Sequence, residues 1–215
     1  MYIDFCFLCD RKQNDLLLSA CDILQMNGWS FNTTSPGEYL YYKDASMRNL
    51  VSYKVERCGE KCLNEIISDI SQYYLPTLYM QRNMGEYKNL SVISVSEFDN
   101  SQLKEVEVSF ENGIIYNFDD NARKENKILL ENIFYKLIKE LKPVYAVSGT
   151  EIDGVKIDPE DIISASQRGA DLSFFSKPIV EKYNIEFSDL GNATVTDDNY
   201  VGGIIIKNKN KLFEL

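Results

Sequence analysis

The sequence predicts a single α+β domain over residues 1–215, with a mixed or mainly antiparallel sheet and about three main helices packed on it. Three observations lead there. Several short runs alternate apolar and polar residues, as half-buried strands do. Three longer stretches repeat apolar residues at helical spacing. No segment has the composition of a linker and no fixed period recurs, so nothing in the composition divides the chain.

Taken in order, residues 2–9 (YIDFCFLC) read as a strand. Asp10 is placed to cap a helix whose Leu16, Leu17, Ala20, Cys21, Ile23 and Leu24 share a face, and Asn27-Gly28 ends it. Residues 39–43 and 51–57 are expected as short strands. A second helix should run from about Glu60 to Tyr74, with Leu63, Ile66, Ile67 and Ile70 inward and Pro76 beyond its end. Residues 89–97 (NLSVISVSE) alternate as a strand. Val106–Phe110 alternates too, and residues 114–118 follow Glu111-Asn112-Gly113. Asn-Gly tolerates the positive φ of a type I′ turn, so a hairpin is expected here. A third helix from Asp120 to about Lys142 carries Leu130, Ile133, Phe134, Leu137, Ile138 and Leu141 on one face and stops at Pro143. Residues 144–152 and 200–207 read as strands, with a looser stretch between them holding one or two short helices. Gly202-Gly203, at the head of the last strand, suits a bulge or a close backbone approach.

The chemistry is bounded first by what is missing. The chain has no histidine, which removes Ser-His-Asp and Cys-His nucleophiles, HExxH zinc sites and histidine general bases. GxGxxG, GxxxxGK[ST] and GxSxG are absent too, so neither a nucleotide cradle nor a nucleophile elbow is indicated. Apolar residues at 44% and charged residues at 26% make an ordinary globular chain. The longest apolar runs, such as residues 202–206, are too short to cross a bilayer, and the N-terminus has no basic signal-peptide region. Cytoplasmic residence is the expectation. Cys6, Cys9, Cys21, Cys58 and Cys62 fit it as buried thiols, because an odd number in a long chain is not a disulfide framework. Cys6-x-x-Cys9 and Cys58-x-x-x-Cys62 have zinc-like spacing. However, Phe7 and Leu8 continue a strand where a metal knuckle needs a turn, so no metal and no cofactor are expected.

Acidic clusters invite a Mg²⁺-dependent reading, but most have structural explanations. Asp119-Asp120 sits where a helix cap and first-turn acid belong, and Asp153-Gly154 and Asp158-Pro159 are turn and helix-start chemistry. Only Glu151-x-Asp153 has no evident structural task. The distribution of charge says more. The net charge is −10, and between residues 150 and 200 eleven acids face four bases, a local excess of seven. Such a field repels nucleic acid and anionic membranes and draws in a basic partner. Tyrosine complements it: fourteen are present, including Tyr39, Tyr41 and Tyr42 together and Tyr73 with Tyr74. Tyrosine offers large contact area with few rotamers, which suits a protein interface. The expected partner-binding residues are therefore Tyr41, Tyr42, Glu151, Asp153, Asp158, Glu160, Asp161, Asp197 and Asp198.

A resemblance adds to this. The order of a long amphipathic helix running into Leu141-Lys142-Pro143-Val144-Tyr145-Ala146-Val147 and Glu151, then residues 174–180 (FFSKPIV), then residues 199–206 (NYVGGIII) is similar to type VI-associated toxin-immunity families over roughly residues 128–206. The family tryptophan ahead of Phe174-Phe175 is missing. The resemblance implies an α+β, non-catalytic fold. With the charge, it leads us to expect an immunity protein that inhibits a basic bacterial toxin or nuclease by stoichiometric binding. A phage-encoded inhibitor of a host defence system and a Mg²⁺-dependent acidic-site hydrolase are the alternatives. If the acidic segment steers a basic partner, stopped-flow association should slow steeply with added salt while dissociation changes little. An association rate indifferent to salt would reduce the charge to a solubility device.

Overall fold

Strands, not helices, supply most of the regular structure, and this corrects the expected fold class. The computed structural model describes residues 2–31, 37–55, 60–97, 102–150, 170–187 and 193–208. In chain order these form β1 (Tyr2–Cys9), α1 (Gln13–Met26), β2 (Gly37–Tyr42), β3 (Leu50–Val55), α2 (Glu60–Ile70), β4 (Tyr74–Met84), β5 (Tyr87–Glu97) and β6 (Lys104–Glu111). There follow α3 (Gly113–Tyr116), α4 (Asp120–Leu141), β7 (Tyr145–Thr150), β8 (Leu172–Ser176), α5 (Lys177–Tyr183), β9 (Ala193–Asp198) and β10 (Gly203–Asn208). Ten strands stand against five helices among the described residues, and one of those helices is only four residues long. A few helices packed on a sheet is therefore not the arrangement.

Met1–Cys9 with Asn112–Leu215 gather into one compact unit and Asp10–Glu111 into a second. The first carries strands in the order β1-β7-β8-β10-β9, the second in the order β3-β2-β4-β5-β6. Each of these pairings is antiparallel. In the first unit every residue of β1 from Ile3 to Cys9 is buried, so both faces of the strand are covered. Helix α4 covers one of them: Phe134 lies 5.3 Å from the ring of Phe5 and 5.5 Å from that of Phe7. Asp119 caps α4 by accepting from the Ala122 N–H at 2.9 Å, and Lys142 closes it in the left-handed conformation just before Pro143. In the second unit the buried Trp29 meets Phe110 edge-on at 5.3 Å and donates Nε1–H to Asn89.

Several local expectations change for identifiable reasons. The hairpin at Asn112-Gly113 does not form. Asn112 takes right-handed helical angles (φ −65°, ψ −14°), and Gly113–Tyr116 coils into α3 with Ile114 and Ile115 both buried. Helix α4 meets the exposed end of that turn: Asn126 Nδ2 donates to the Ile114 carbonyl at 2.8 Å and Arg123 Nε to that of Ile115 at 3.3 Å. Tertiary partners thus outweigh the turn preference. Helix α1 begins after Lys12 rather than from an Asp10 cap, with no side-chain cap bond. Helix α2 stops at Ile70 because Tyr74 opens β4, an eleven-residue strand that no periodicity announced. The stretch expected to be loose holds β8 and β9 besides the short α5. Cys6, Cys9 and Cys21 are free and buried, whereas Cys62 is disulfide-bonded and so departs from the expected set of thiols. Cys58 lies outside the described residues.

Gly203 is the close approach that the sequence suggests. A Cβ there would collide with the Phe175 carbonyl oxygen and the ring of Phe174. Gly202 instead has φ +74° and open space around it. Gly203→Ala should cost about 2 kcal/mol by overpacking, and Gly202→Ala about 1 kcal/mol through its strained φ, as read by urea denaturation. Equal losses would show that the contact to Phe174 yields freely. The three buried thiols should stay unmodified by a polar alkylating reagent until the protein unfolds. Burial pushes the Cys21 thiol far above its ordinary value, with a smaller push from Asp22.

Candidate functional site

The site emerges from β2 and its neighbours in the second unit. Alternation along the strand sends Tyr39 and Tyr41 to one face and Leu40 and Tyr42 to the other. On the first face Tyr41 is 9% exposed and stacks on Tyr73 with ring centroids 4.2 Å apart. Tyr39 stacks on its direct cross-strand partner Tyr53 at 5.4 Å. Burial first, then neighbouring phenols and Asp69, raise the pKa of both Tyr39 and Tyr41. These rings are neutral packing groups at physiological pH.

The opposite face is partly exposed, with Leu40 and Tyr42 half-buried. Tyr42 pairs in register with Leu50 on β3 and with Tyr74 on β4, so three adjacent strands set Leu50, Tyr42 and Tyr74 in one row. Leu50 is 52% exposed and Tyr74 is 39% exposed. Such apolar surface in a row is more informative than the same residues scattered.

Next to Tyr74 is a cleft of about 520 Å³, within the size range of ligand pockets. Its walls come from Lys12 and Gln13 at the start of α1, Ala45 and Met47 in the β2–β3 turn, residues Ser71–Leu75, and Ser96, Glu97 and Lys104 at the paired ends of β5 and β6. The walls are held in place. Gln13 Nε2 donates to the carbonyls of Ser71 (3.1 Å) and Tyr73 (2.9 Å), tying α1 to the segment before β4. Lys104 is bonded to Glu97 at 2.7 Å. In the β2–β3 turn Asp44 accepts from the Ser46 N–H at 3.0 Å and from the side chains of Ser46 and Asn49, and these bonds depress its carboxyl pKa. Two strained residues line this one cleft, Met47 (φ +52°) and Leu75 (φ +46°). Among the described residues the other two non-glycine residues with positive φ, Lys142 and Asn184, are ordinary helix C-caps. Backbone strain away from caps concentrates at functional sites.

The residues expected from sequence are distributed differently. Tyr42 belongs to the partly exposed row, while Tyr41 is packed beneath against Tyr73. Asp197 and Asp198 lie on β9, in the first unit. Asp197 pairs with Lys177 at 3.1 Å, and Asp198 accepts from the Tyr200 N–H at 2.8 Å in a turn. Glu151, Asp153, Asp158, Glu160 and Asp161 lie outside the described residues. Among the described residues no group of three or more Cys, Asp or Glu side chains could hold a metal ion, and no helix is long and apolar enough to cross a membrane. Sequence reasoning missed Leu50, Met47, Leu75 and Lys12. The Tyr73-Tyr74 pair was the one visible signal for the cleft.

No family model and no curated protein matches the chain. Among solved structures it is similar to the Pseudomonas aeruginosa T6SS protein PA0821, at 11% identity and a TM-score of 0.50, with 95% of this chain and 67% of that one covered. At that identity the likeness is one of fold.

The buried phenols set an alkaline limit on the fold. Burial, then Glu131 and Asp198, push Tyr135 up to about 12. Its stabilising effect is fully present below an unfolded-state pKa of about 10 and is lost as pH rises through the folded value. Ultraviolet titration should show delayed tyrosinate formation, with unfolding beginning above about pH 10. Titration of every tyrosine near the free value with the fold intact would contradict this packing.

Proposed function

We propose that this chain is a non-catalytic binding protein that neutralises a basic bacterial toxin by stoichiometric contact, as an immunity protein associated with type VI secretion. The observation that carries the reading is the partly exposed row of Leu50, Tyr42 and Tyr74 beside a walled cleft. A protein that works by contact needs exposed apolar and aromatic surface of this kind on a rigid element. The likeness in fold to a Pseudomonas aeruginosa T6SS protein supports the setting. The net charge of −10 supports a basic target, which it draws in at long range. Cytoplasmic residence suits the three free thiols, while the disulfide at Cys62 runs against it. Fractionation of the source cell decides between compartments.

The test is co-expression with the protein encoded by the adjacent gene. The expected outcome is a complex of fixed stoichiometry by light scattering and rescue of growth. Leu50→Lys combined with Tyr74→Ala should weaken the complex about a hundredfold while leaving the thermal midpoint unchanged, since both side chains are exposed. A wild-type chain that hydrolyses nucleic acid or phosphoesters with Mg²⁺, or that forms no complex with the adjacent product, defeats this reading.

A further inference from the structure

Strand β3 ends the sheet of the second unit, and one hydrogen bond fixes which of its backbone groups β2 leaves unpaired. Lys43 N–H donates to the Asn49 carbonyl at 3.1 Å, so Lys43 and Asn49 form a hydrogen-bonded pair. Hydrogen-bonded and non-hydrogen-bonded pairs alternate along an antiparallel ladder. Tyr42↔Leu50, Leu40↔Ser52 and Glu38↔Lys54 are therefore non-hydrogen-bonded, and the backbone groups of Leu50, Ser52 and Lys54 point away from β2. No further strand of this sheet lies on that side among the described residues. The side chains suit a contact as well: Met47, Leu50 and Tyr53, close together on this hairpin, are all exposed. An edge of this kind is a template for another strand unless it is blunted, and β3 carries one lysine, Lys54, and no proline.

The strand is complementary to a second copy of itself. Turned about a two-fold axis at Ser52, β3 meets its copy antiparallel, with Leu50 opposite Lys54, Val51 opposite Tyr53 and Ser52 opposite Ser52. This register satisfies the phase, because the outward residues Leu50, Ser52 and Lys54 fall only against one another and form hydrogen-bonded pairs. Val51 and Tyr53 then make two symmetry-related non-hydrogen-bonded pairs, where side chains come closest, and an aromatic opposite a β-branched residue is a favourable cross-strand pair. Tyr53 is already stacked on Tyr39 at 5.4 Å, which holds its ring on that face. Lys54, the only charged residue of β3, lies 3.9 Å from Glu38 and meets Leu50 of the copy rather than another charge. The two lysines stand four residues out of register, about 14 Å along the strand and beyond a Debye length of about 8 Å. Around the hairpin Lys43 and Arg48 are matched in number by Asp44 and by Asp69, which acts on Tyr39 and Tyr41. The other edge strand, β9, has two acids among its six residues and no aromatic side chain. We propose that β3 is a self-association edge, through which two copies of the chain pair antiparallel about Ser52 into a weak two-fold dimer that continues the sheet of the second unit. Six residues of edge fall short of the roughly 1,200 Å² of a stable interface, so the dissociation constant is on the order of 10–100 μM. A two-fold pairing closes on itself and leaves neither β3 edge free. The proposal concerns the edge of the sheet, not the row on its face, and does not rest on the immunity reading.

Sedimentation velocity of the full chain from about 1 to 300 μM tests this. The mean mass should rise from monomer towards dimer, and amide exchange at Leu50, Ser52 and Lys54 should slow at the high end. The net charge of −10 opposes association at long range, so added salt should tighten the dimer, the reverse of its effect on association with a basic partner. Ser52→Pro removes only an outward N–H, so it should weaken the dimer at least about tenfold while circular dichroism stays native. Cysteine variants test the register whether or not the proline variant folds. Opposed residues of a hydrogen-bonded pair have Cα atoms about 5.5 Å apart, within reach of a disulfide. Mild oxidation should therefore link two Ser52→Cys chains and leave Lys54→Cys chains unlinked, because those positions are four residues out of register. A monomer at every concentration, a dimer weakened by salt or undiminished by Ser52→Pro, or equal linking of the two cysteine variants would overturn the proposal. So would slowed exchange at those three amides only when the product of the adjacent gene is added, which would give the edge to a partner's strand.

Discussion

Phe134 lying across Phe5 and Phe7 is the contact on which the first unit depends. It covers one face of β1, and a strand covered on one side by a helix can remain half wet on the other. Here it does not. Tyr145 and Phe175 meet at 4.9 Å, and Phe175 meets Phe187 at 5.4 Å on the segment that follows α5. With both faces buried, register cannot be set by an inside–outside alternation alone. It is set by fit, and Gly203 is part of that fit, because its missing side chain lets Phe174 and the Phe175 carbonyl come close. The salt bridge from Lys207 to Glu131, at 2.9 Å, ties β10 to α4 over the same sheet.

The second unit rests on a different anchor and leaves a different margin. Trp29 is buried between Phe110 and the guanidinium of Arg82, 4.9 Å above its ring, and Asn89 satisfies its indole N–H. Asn89 passes the connection on by donating to the Glu111 carbonyl at 2.8 Å. These contacts hold the middle of the sheet and do nothing for its far strand. β3 consequently stands at the edge with apolar side chains in water. Both edge strands carry charge: Lys54 lies on β3, and acids lie on the edge strand of the first unit. β9 ends in Asp197 and Asp198, and charge on an edge strand discourages pairing with another chain. The two edge strands thus carry charge of opposite sign.

The helices were legible because a helix repeats its apolar face within a few residues of itself. Leu130, Ile133, Phe134, Leu137, Ile138 and Leu141 are all buried in α4, and Asp119 caps it as expected. Strands are defined by partners far away in sequence, and legibility fell with that distance. β4 was invisible because Pro76 and the polar run Gln81-Arg82-Asn83 hide an alternation that its pairing with β5 completes. The Asn-Gly pair at 112–113 misled for the same reason, since Ile114 and Ile115 found burial and α4 supplied hydrogen bonds to their carbonyls.

The candidate site divides along the same line. Composition alone determined that the chain is acidic, that histidine chemistry is closed to it, and that tyrosines cluster near residues 39–42 and 73–74. Those are properties of a list of residues and need no coordinates. Only the tertiary structure decided that Tyr41 is packed under Tyr73 while Tyr42 stands in a partly exposed row with Leu50 and Tyr74. Only it brought Lys12, Met47 and Leu75 to one cleft. Alternation along a strand says that neighbouring side chains face opposite ways, but not which way is water. That is decided by which elements pack against the sheet, and no local pattern of residues encodes it.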